Sequence, residues 1–249
     1  MRNIISIKNL SFGYEKKKLV LKDLNAEFSE GKIIALLGKN GSGKSTLLEC
    51  IAGLNDFSGD IIIKEKLLKE YSEKEVSKII SFIPQQTQIN LDFTVFDFIS
   101  FGRNPYLSLL GKLKDKDFLI IKQNAERCGI LELLDKDINK ISGGERQLAF
   151  IARSLCQETE IIIMDEPTAS LDFGNQQKLF NMISNLSKNG KTIIFTTHNP
   201  NHLINLNCEI FAMSDGNISQ IKKLDLETVK KIYGDEFEYS EKLFAFKIS

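Results

Sequence analysis

The chain has 249 residues, of which 42% are hydrophobic, and its 33 Lys and Arg residues are balanced by 33 Asp and Glu. This composition is typical of a globular protein that can bury a sizeable core, and the zero formal net charge argues against a protein that mainly grips nucleic acid or an acidic membrane. The four cysteines form no CxxC pair, and no apolar run approaches the ~20 residues of a membrane span. We therefore expect a cytoplasmic chain, without a disulfide framework, that does not cross a membrane by itself.

The first part of the chain predicts short strands separated by polar turns. A glycine-rich turn follows the third strand and leads into a helix with Leu47, Leu48 and Ile51 on one face. The predicted strands of this part cover residues 5–7, 19–28, 33–37, 61–63 and 79–83.

The pattern becomes helical from about residue 91 to residue 158. Thr94 and Asp97 have the spacing of a capping box, and residues 115–128 form a charged amphipathic stretch. Residues 145–157 place their apolar side chains on one helical stripe.

Strands return after this helical block. They are predicted over residues 161–164, 192–197 and 209–213, with a helix over 174–187. A helix over 226–233 and a weak strand end the chain. Strands that alternate with helices on both sides of a helical block predict an α/β fold, in which a parallel sheet carries a helical insertion.

A complete P-loop, GKNGSGKST, follows a buried strand and begins a helix. Its glycines let consecutive N–H groups point at phosphate oxygens, and the helix N-terminus adds its positive dipole end. Lys44 is expected to reach the β- and γ-phosphates, and Ser45 to bind Mg²⁺. The loop consists of Gly38, Lys39, Asn40, Gly41, Ser42, Gly43, Lys44, Ser45 and Thr46.

Two carboxylates stand at the end of the predicted strand 161–164. Ligands bind at the carboxyl ends of strands in open α/β sheets, so Asp165 and Glu166 are placed to act on a nucleotide. We expect Asp165 to hold Mg²⁺ and Glu166 to polarise the attacking water as general base.

The segment ISGGE, residues 141–145, precedes an amphipathic helix. Ser142 and Glu145 have capping-box spacing, and two glycines leave free N–H groups at the helix start. By itself, this pattern fits a well-capped helix as well as it fits an anion site.

With these motifs in order, the sequence resembles the ATP-binding-cassette (ABC) ATPases over essentially its whole length. GKNGSGKST is similar to the Walker A motif, IIIMDE to the Walker B motif and ISGGE to the signature motif, although Ile141 replaces the usual Leu. The other matching residues are Tyr14 for the adenine-stacking aromatic, Gln85 for the Q-loop, Ser170 to Asp172 for the D-loop and His198 for the switch histidine.

The resemblance implies one ABC ATPase domain over residues 1–249, with a mixed sheet core, a small antiparallel β subdomain and an inserted helical subdomain. The catalytic core is expected at about 1–88 and 159–249, and the helical subdomain at about 89–158. The implied cofactors are ATP and Mg²⁺.

The resemblance also implies a head-to-tail homodimer, in which each ATP lies between one P-loop and the partner's Ser142, Gly143, Gly144 and Glu145. His198 would donate to the γ-phosphate, and Gln85 would sense Mg²⁺ and the attacking water. For Tyr14 an ordinary strand aromatic remains an alternative, and His202 is interpreted as structural or at the surface.

One cassette without membrane spans resembles the bacterial importer arrangement, with separate permease subunits and, indirectly, a substrate-binding protein. The segment FGRNPY, residues 101–106, is similar to cassettes that drive uptake of iron–siderophore, haem and cobalamin. The resemblance places the chain at the cytoplasmic face of the inner membrane, with no nucleic-acid partner. The alternatives are a soluble ABC ATPase of the iron–sulfur assembly type and a cassette for molybdate-like oxyanions.

Overall fold

The computed structural model describes residues 2–15, 18–85, 92–108, 111–234, 237–240 and 243–246. A small antiparallel sheet with strand order β2-β1-β4-β5 contains much of the N-terminal part. Its strands are β1 (Asn3–Phe12), β2 (Leu21–Ser29), β4 (Ser58–Ile63) and β5 (Lys66–Leu67).

The central sheet has six strands in the order β10-β9-β3-β8-β7-β6. Five of them run parallel, and β10 pairs antiparallel with β9 at one edge. This mixed sheet, together with the small antiparallel one, confirms the predicted fold class. The strands are β3 (Ile33–Leu37), β6 (Ile80–Ile83), β7 (Ile161–Met164), β8 (Thr192–Thr197), β9 (Glu209–Ser214) and β10 (Asn217–Ile221).

Seven α-helices lie within the described ranges. Helices α3, α4 and α5 pack on one another and form the helical block between β6 and β7. The helices are α1 (Lys44–Ile51), α2 (Glu73–Ile79), α3 (Val95–Ser100), α4 (Asp115–Arg127), α5 (Gly143–Cys156), α6 (Phe173–Lys188) and α7 (Leu226–Tyr233). None of these helices is both long and apolar enough to cross a membrane.

Both faces of the central sheet are covered, which explains why β3 is apolar and buried along its whole length. On one face, Ile34 and Leu36 pack with α1 and the small sheet. On the other face, Ala35 and Phe195 pack with the helical block and α6. The ends of β3, β7 and β8 are thereby held between two apolar layers, where their side chains and following turns have fixed positions.

Most predicted elements are present, although the strand predicted over 5–7 is the middle of the longer β1 (Asn3–Phe12) and the strand over 61–63 begins earlier, in β4 (Ser58–Ile63). The strand predicted over 19–28 is β2 (Leu21–Ser29), and the helix over 226–233 is confirmed as α7. The weak terminal strand is a hairpin of β11 (Phe237–Ser240) and β12 (Leu243–Phe246). The division into a catalytic core and a helical subdomain at about residues 89 and 158 stays a prediction.

Candidate active site

The P-loop connects the buried strand β3 to helix α1. Gly41 and Gly43 have φ angles of 80° and 98°, a left-handed conformation that favours glycine. A Cβ atom on Gly43 would lie 2.9 Å from Cδ2 of Leu21, and one on Gly38 would collide with the carbonyl oxygen of Met213. These close approaches explain why glycine is required at both positions of the loop.

The Lys44 ammonium is buried and folds back over this loop. Its Nζ donates to the main-chain oxygens of Gly38 and Lys39, both at 2.9 Å. Burial lowers the pKa of Lys44, and the charges of Glu166 and Asp165 oppose that decrease. Lys44 therefore adds a positive charge to the loop, and this charge interacts electrostatically with the two carboxylates.

The two predicted carboxylates follow β7, and both meet the neighbouring strand β8. Oδ1 of the buried Asp165 accepts a hydrogen bond of 2.6 Å from the Thr196 hydroxyl. The main-chain N–H of Glu166 donates to the same hydroxyl oxygen at 2.7 Å. Glu166 has a φ of 43°, which is uncommon for a residue with a Cβ.

Gln85 and His198 both contact the Glu166 carboxylate, and they come from the segments that follow β6 and β8. Nε2 of Gln85 donates to Oε2 at 3.0 Å, and Nδ1 of His198 lies 3.2 Å from Oε1. A ring nitrogen that carries a proton can donate in this contact, since an ionised carboxylate only accepts hydrogen bonds. The Glu166 side chain is 11% exposed and the His198 side chain 55%, so the histidine covers the carboxylate from the solvent side.

Tyr14 stands beside the start of α1. Its hydroxyl lies 3.3 Å from Oγ1 of Thr46 and 3.4 Å from Oε2 of Glu49. The residue is 68% exposed and meets Phe12 edge-on. The ring is therefore accessible to a planar group next to the P-loop, and a stacking role stays a prediction.

The segment ISGGE begins helix α5 with a complete capping box. Ser142 Oγ accepts from the N–H of Glu145 at 3.2 Å, and Glu145 Oε2 accepts from the N–H of Ser142 at 2.8 Å. These bonds lower the pKa of Glu145. Ser142 and Gly143 are exposed, and within the described residues no hydrogen bond or ion pair joins residues 142–145 to the P-loop. The structure does not bring this segment to the nucleotide site of its own chain.

His202, the second histidine, is held inside the fold. Its two ring nitrogens lie 2.9 Å from Oγ1 of Thr197 and 3.3 Å from Nδ2 of Asn199. The ring also packs on Phe180, and burial lowers the pKa of His202. These contacts agree with a structural role.

Sequence reasoning missed two residues at this site. Thr196 joins the Asp165 carboxylate to the main-chain N–H of Glu166, and its only signal was a polar residue facing inward in the apolar strand TIIFTT. Tyr233, at the end of α7, lies close to Gly38 and Glu166; burial and the Glu166 charge raise its pKa. No local pattern connects Tyr233 to the site, since α7 is more than 180 residues from the P-loop in sequence.

These features define a P-loop nucleoside-triphosphate-binding protein. They are a glycine-rich loop at the start of a helix, a lysine folded over that loop, and two carboxylates after β7, which β8 separates from β3 in the sheet. The family model described as ABC transporter matches residues 21–169. A model of an AAA domain matches the shorter stretch 134–205, which does not contain the P-loop.

Curated relatives and a solved structure agree with the first model. The chain is 34% identical over 218 residues to the iron(3+)-hydroxamate import ATP-binding protein FhuC of Bacillus subtilis, covering 87% of this chain and 81% of that one. It is 32% identical over 206 residues to the molybdate import ATP-binding protein MolC of Haemophilus influenzae, covering 82% and 76%. A chain of an inward-facing ABC transporter assigned to the metal-chelate type superposes with a TM-score of 0.80 at 27% identity, covering 98% and 95%.

The chain belongs to the ABC transporter family. It is an ATP-binding domain of that family, with an ATPase activity coupled to transport.

Proposed function

We propose that the chain is the ATP-hydrolysing subunit of an ABC importer and that two copies bind ATP head-to-tail. The exposed start of α5 carries this proposal. Ser142 and Gly143 present a capped helix N-terminus to solvent, away from the P-loop of their own chain. Since a helix N-terminus favours anions, a second copy's γ-phosphate is a fitting partner for it.

Within each copy, the P-loop and Lys44 bind the β- and γ-phosphates. Glu166 takes a proton from the attacking water as general base, because its carboxylate is shielded from bulk solvent. Gln85 and His198 orient that carboxylate through its two oxygens, and release of His198 from Glu166 would leave its N–H for the γ-phosphate. Tyr14 stacks on the adenine.

Mg²⁺ fits the donors near the P-loop, which are a carboxylate, a hydroxyl and an amide oxygen, all of the hard type that this ion prefers. We propose that Asp165, Ser45 and Gln85 hold it. The Thr196 bond occupies only Oδ1 of Asp165, and the hydrogen bonds of the described residues leave Oδ2 for a ligand. When bound, the ion neutralises charge on the phosphate oxygens.

A membrane permease is the proposed partner of an open groove between α2 and the segment Phe101–Tyr106. Lys74 reaches across it to the main-chain oxygen of Leu107 at 3.3 Å, and Tyr106 is 43% exposed beside it. By resemblance to importer cassettes, we propose that residues 86–111 form much of this groove; of that range, 86–91, with Ile89 and Leu91, and 109–110 lie outside the described residues. Phe93, Phe96 and Phe98 pack in or against the helical core.

We propose an iron chelate, such as a siderophore, haem or cobalamin, as the cargo, and the cytoplasmic face of the inner membrane as the location. The relative that imports iron(3+)-hydroxamate and the structure of metal-chelate type support this cargo. A molybdate-like oxyanion is the second candidate, favoured by the molybdate relative. A substrate-binding protein is then an indirect partner.

The test uses tagged Glu166→Gln protein in native membranes solubilised with ATP and Mg²⁺. A permease with several membrane spans is expected to co-purify, and Lys44→Ala protein provides the control with weakened ATP binding. The same complex purified with wild-type protein and placed in vesicles should then take up a labelled iron chelate when ATP is supplied. Recovery of soluble partners alone would contradict the importer, and uptake of molybdate in place of the chelate would contradict the cargo.

A further inference from the structure

Thr196 occupies a central position in the sheet. Strand β8 lies between β3, which leads into the P-loop, and β7, which ends at the carboxylates. Thr196 pairs with Leu36 of β3, two residues before Gly38. Its neighbour Ile194 and the β7 residue Ile163 pack on the face covered by α1, so alternation along each strand places Thr196 and Asp165 on that face.

The Thr196 hydroxyl makes two bonds whose directions are set by chemistry. A main-chain N–H can only donate, so the hydroxyl oxygen accepts from Glu166. The single hydroxyl proton is then donated to Oδ1 of Asp165. At 2.6 Å, this bond has the length of a charge-assisted O–H···O⁻ contact.

Solvent has little access to Thr196 and to the Asp165 carboxylate. Thr196 is 0% exposed and Asp165 is 4% exposed. A buried carboxylate that loses its partner becomes unsatisfied, which is more costly than losing a surface hydrogen bond, and the Glu166 N–H, which is partly buried, would lose its acceptor as well.

The two bonds affect different parts of the reaction. The bond to Oδ1 restricts the rotation of the Asp165 carboxylate, and the hydrogen bonds of the described residues leave Oδ2 for a ligand. The bond to the Glu166 N–H holds that residue at its φ of 43°, from which its side chain reaches both Gln85 and His198.

We propose that the Thr196 hydroxyl is a positioning group for the ATPase reaction, which aligns Asp165 for the metal and holds Glu166 as general base. This inference rests on the proposed roles of those two carboxylates. Thr196 itself does not act on the nucleotide, and its effect passes through both neighbours.

The test compares Thr196→Val, which keeps the shape and removes the hydroxyl, with Thr196→Ser, which keeps the hydroxyl. In the full chain, Thr196→Val should lower kcat for ATP by about 10- to 100-fold, the loss of a hydrogen bond to a charged group. ATP affinity in EDTA should stay within about twofold of wild type, while the gain in affinity on adding Mg²⁺ should shrink. Thr196→Ser should restore both quantities.

Thr192→Val is the matched control. Thr192 is at the other end of β8, is also 0% exposed and accepts from the N–H of Gly31 at 2.9 Å. Thr192→Val should lower thermal stability and leave kcat and the gain in ATP affinity on adding Mg²⁺ unchanged. If Thr196→Val proves unstable in thermal unfolding, Thr196→Ser is compared with Thr196→Ala. These two variants differ by one oxygen atom and therefore test the same hydroxyl group.

Equal kcat and equal Mg²⁺ effects in Thr196→Val and Thr192→Val would overturn the inference. Asp165→Asn and Glu166→Gln are measured alongside. Normal turnover in those two variants would contradict the proposed active site, whereas normal turnover in Thr196→Val alone would contradict only the positioning role.

Discussion

His198 and Glu166 are joined across the mouth of the site, with Nδ1 of the histidine 3.2 Å from Oε1 of the glutamate. The histidine comes from the end of β8 and the glutamate from the turn after β7. In this arrangement a ring nitrogen of His198 is held by the proposed general base. For His198 to contact the γ-phosphate, as proposed above, it must first release this carboxylate.

Glu166→Gln should lower kcat by about 100- to 10,000-fold, because an amide cannot take a proton from water. ATP binding should remain, since Gln keeps the size of the side chain. Steady-state phosphate release and equilibrium binding of a fluorescent ATP analogue measure the two quantities. Loss of binding in parallel with turnover would show that Glu166 maintains the fold of the site and is not the base.

Lys44→Ala should weaken ATP binding by about 10- to 100-fold, the loss of a hydrogen bond to a charged group. Lys191→Ala is a matched control, because Lys191 Nζ also donates to two main-chain oxygens, those of Glu158 and Thr159, but at the start of β8. Isothermal titration calorimetry with ATP compares the affinities of the two variants. Equal ATP affinities in both variants would mean that Lys44 stabilises the loop through its main-chain contacts and does not bind the phosphates.

Tyr14→Ala should weaken ATP binding by about tenfold through loss of base stacking, while Tyr14→Phe should bind ATP as wild type does. Inorganic tripolyphosphate, which has no base, serves as the control ligand. Its affinity should be the same in all three proteins. A similar loss for ATP and tripolyphosphate in Tyr14→Ala would contradict adenine stacking.

Asp117 belongs to a buried ion pair that ties α4 to the segment before it. Its Oδ1 accepts from Nε of Arg103 at 2.8 Å, and Arg103 also donates to Glu158 at 2.7 Å. The main-chain N–H of Lys114 and then the Arg103 guanidinium hold the pKa of Asp117 below its ordinary value of 3.8, against the effect of burial. The carboxylate therefore stabilises the fold at neutral pH, and this contribution is lost as the pH falls through the lowered pKa.

Asp117→Asn should lower the free energy of unfolding by about 3 kcal/mol at neutral pH, because Arg103 stays buried with a weaker set of partners. Below pH 3.8 the difference from wild type should narrow. Asp115→Asn, two residues earlier on the exposed side of α4, should change stability little. Denaturant titrations at several pH values test this, and a difference that widens in acid would contradict the ion-pair account.

The sequence predicts the elements whose apolar pattern is strong, and misses those without one. Helix α2 has no buried residue, so it shows no apolar stripe, although Ser72 and Glu75 form a capping box at its start. Strand β10 is an edge strand whose residues are mostly exposed. Both were absent from the predicted elements for that reason.

At the site, the loop residues and carboxylates were predictable because their motifs are continuous in sequence. The contact of Thr196 with Asp165 was not, since it depends on which strand lies next to β7 and on the register between them. The position of Tyr233 beside Gly38 likewise depends on how α7 folds back after the sheet is complete. Such relationships are tertiary, and no local pattern contains them.

If the start of α5 completes the ATP site of a second copy, Glu166→Gln protein with ATP and Mg²⁺ should have the mass of a dimer, which light scattering measures most directly. The dimer should be lost in Glu166→Gln/Ser142→Asp, because aspartate still caps the helix but repels the γ-phosphate. The same change in the capping box of α2, Ser72→Asp, should leave the dimer intact. A stable dimer in Glu166→Gln/Ser142→Asp, or a monomer in Glu166→Gln itself, would contradict the account.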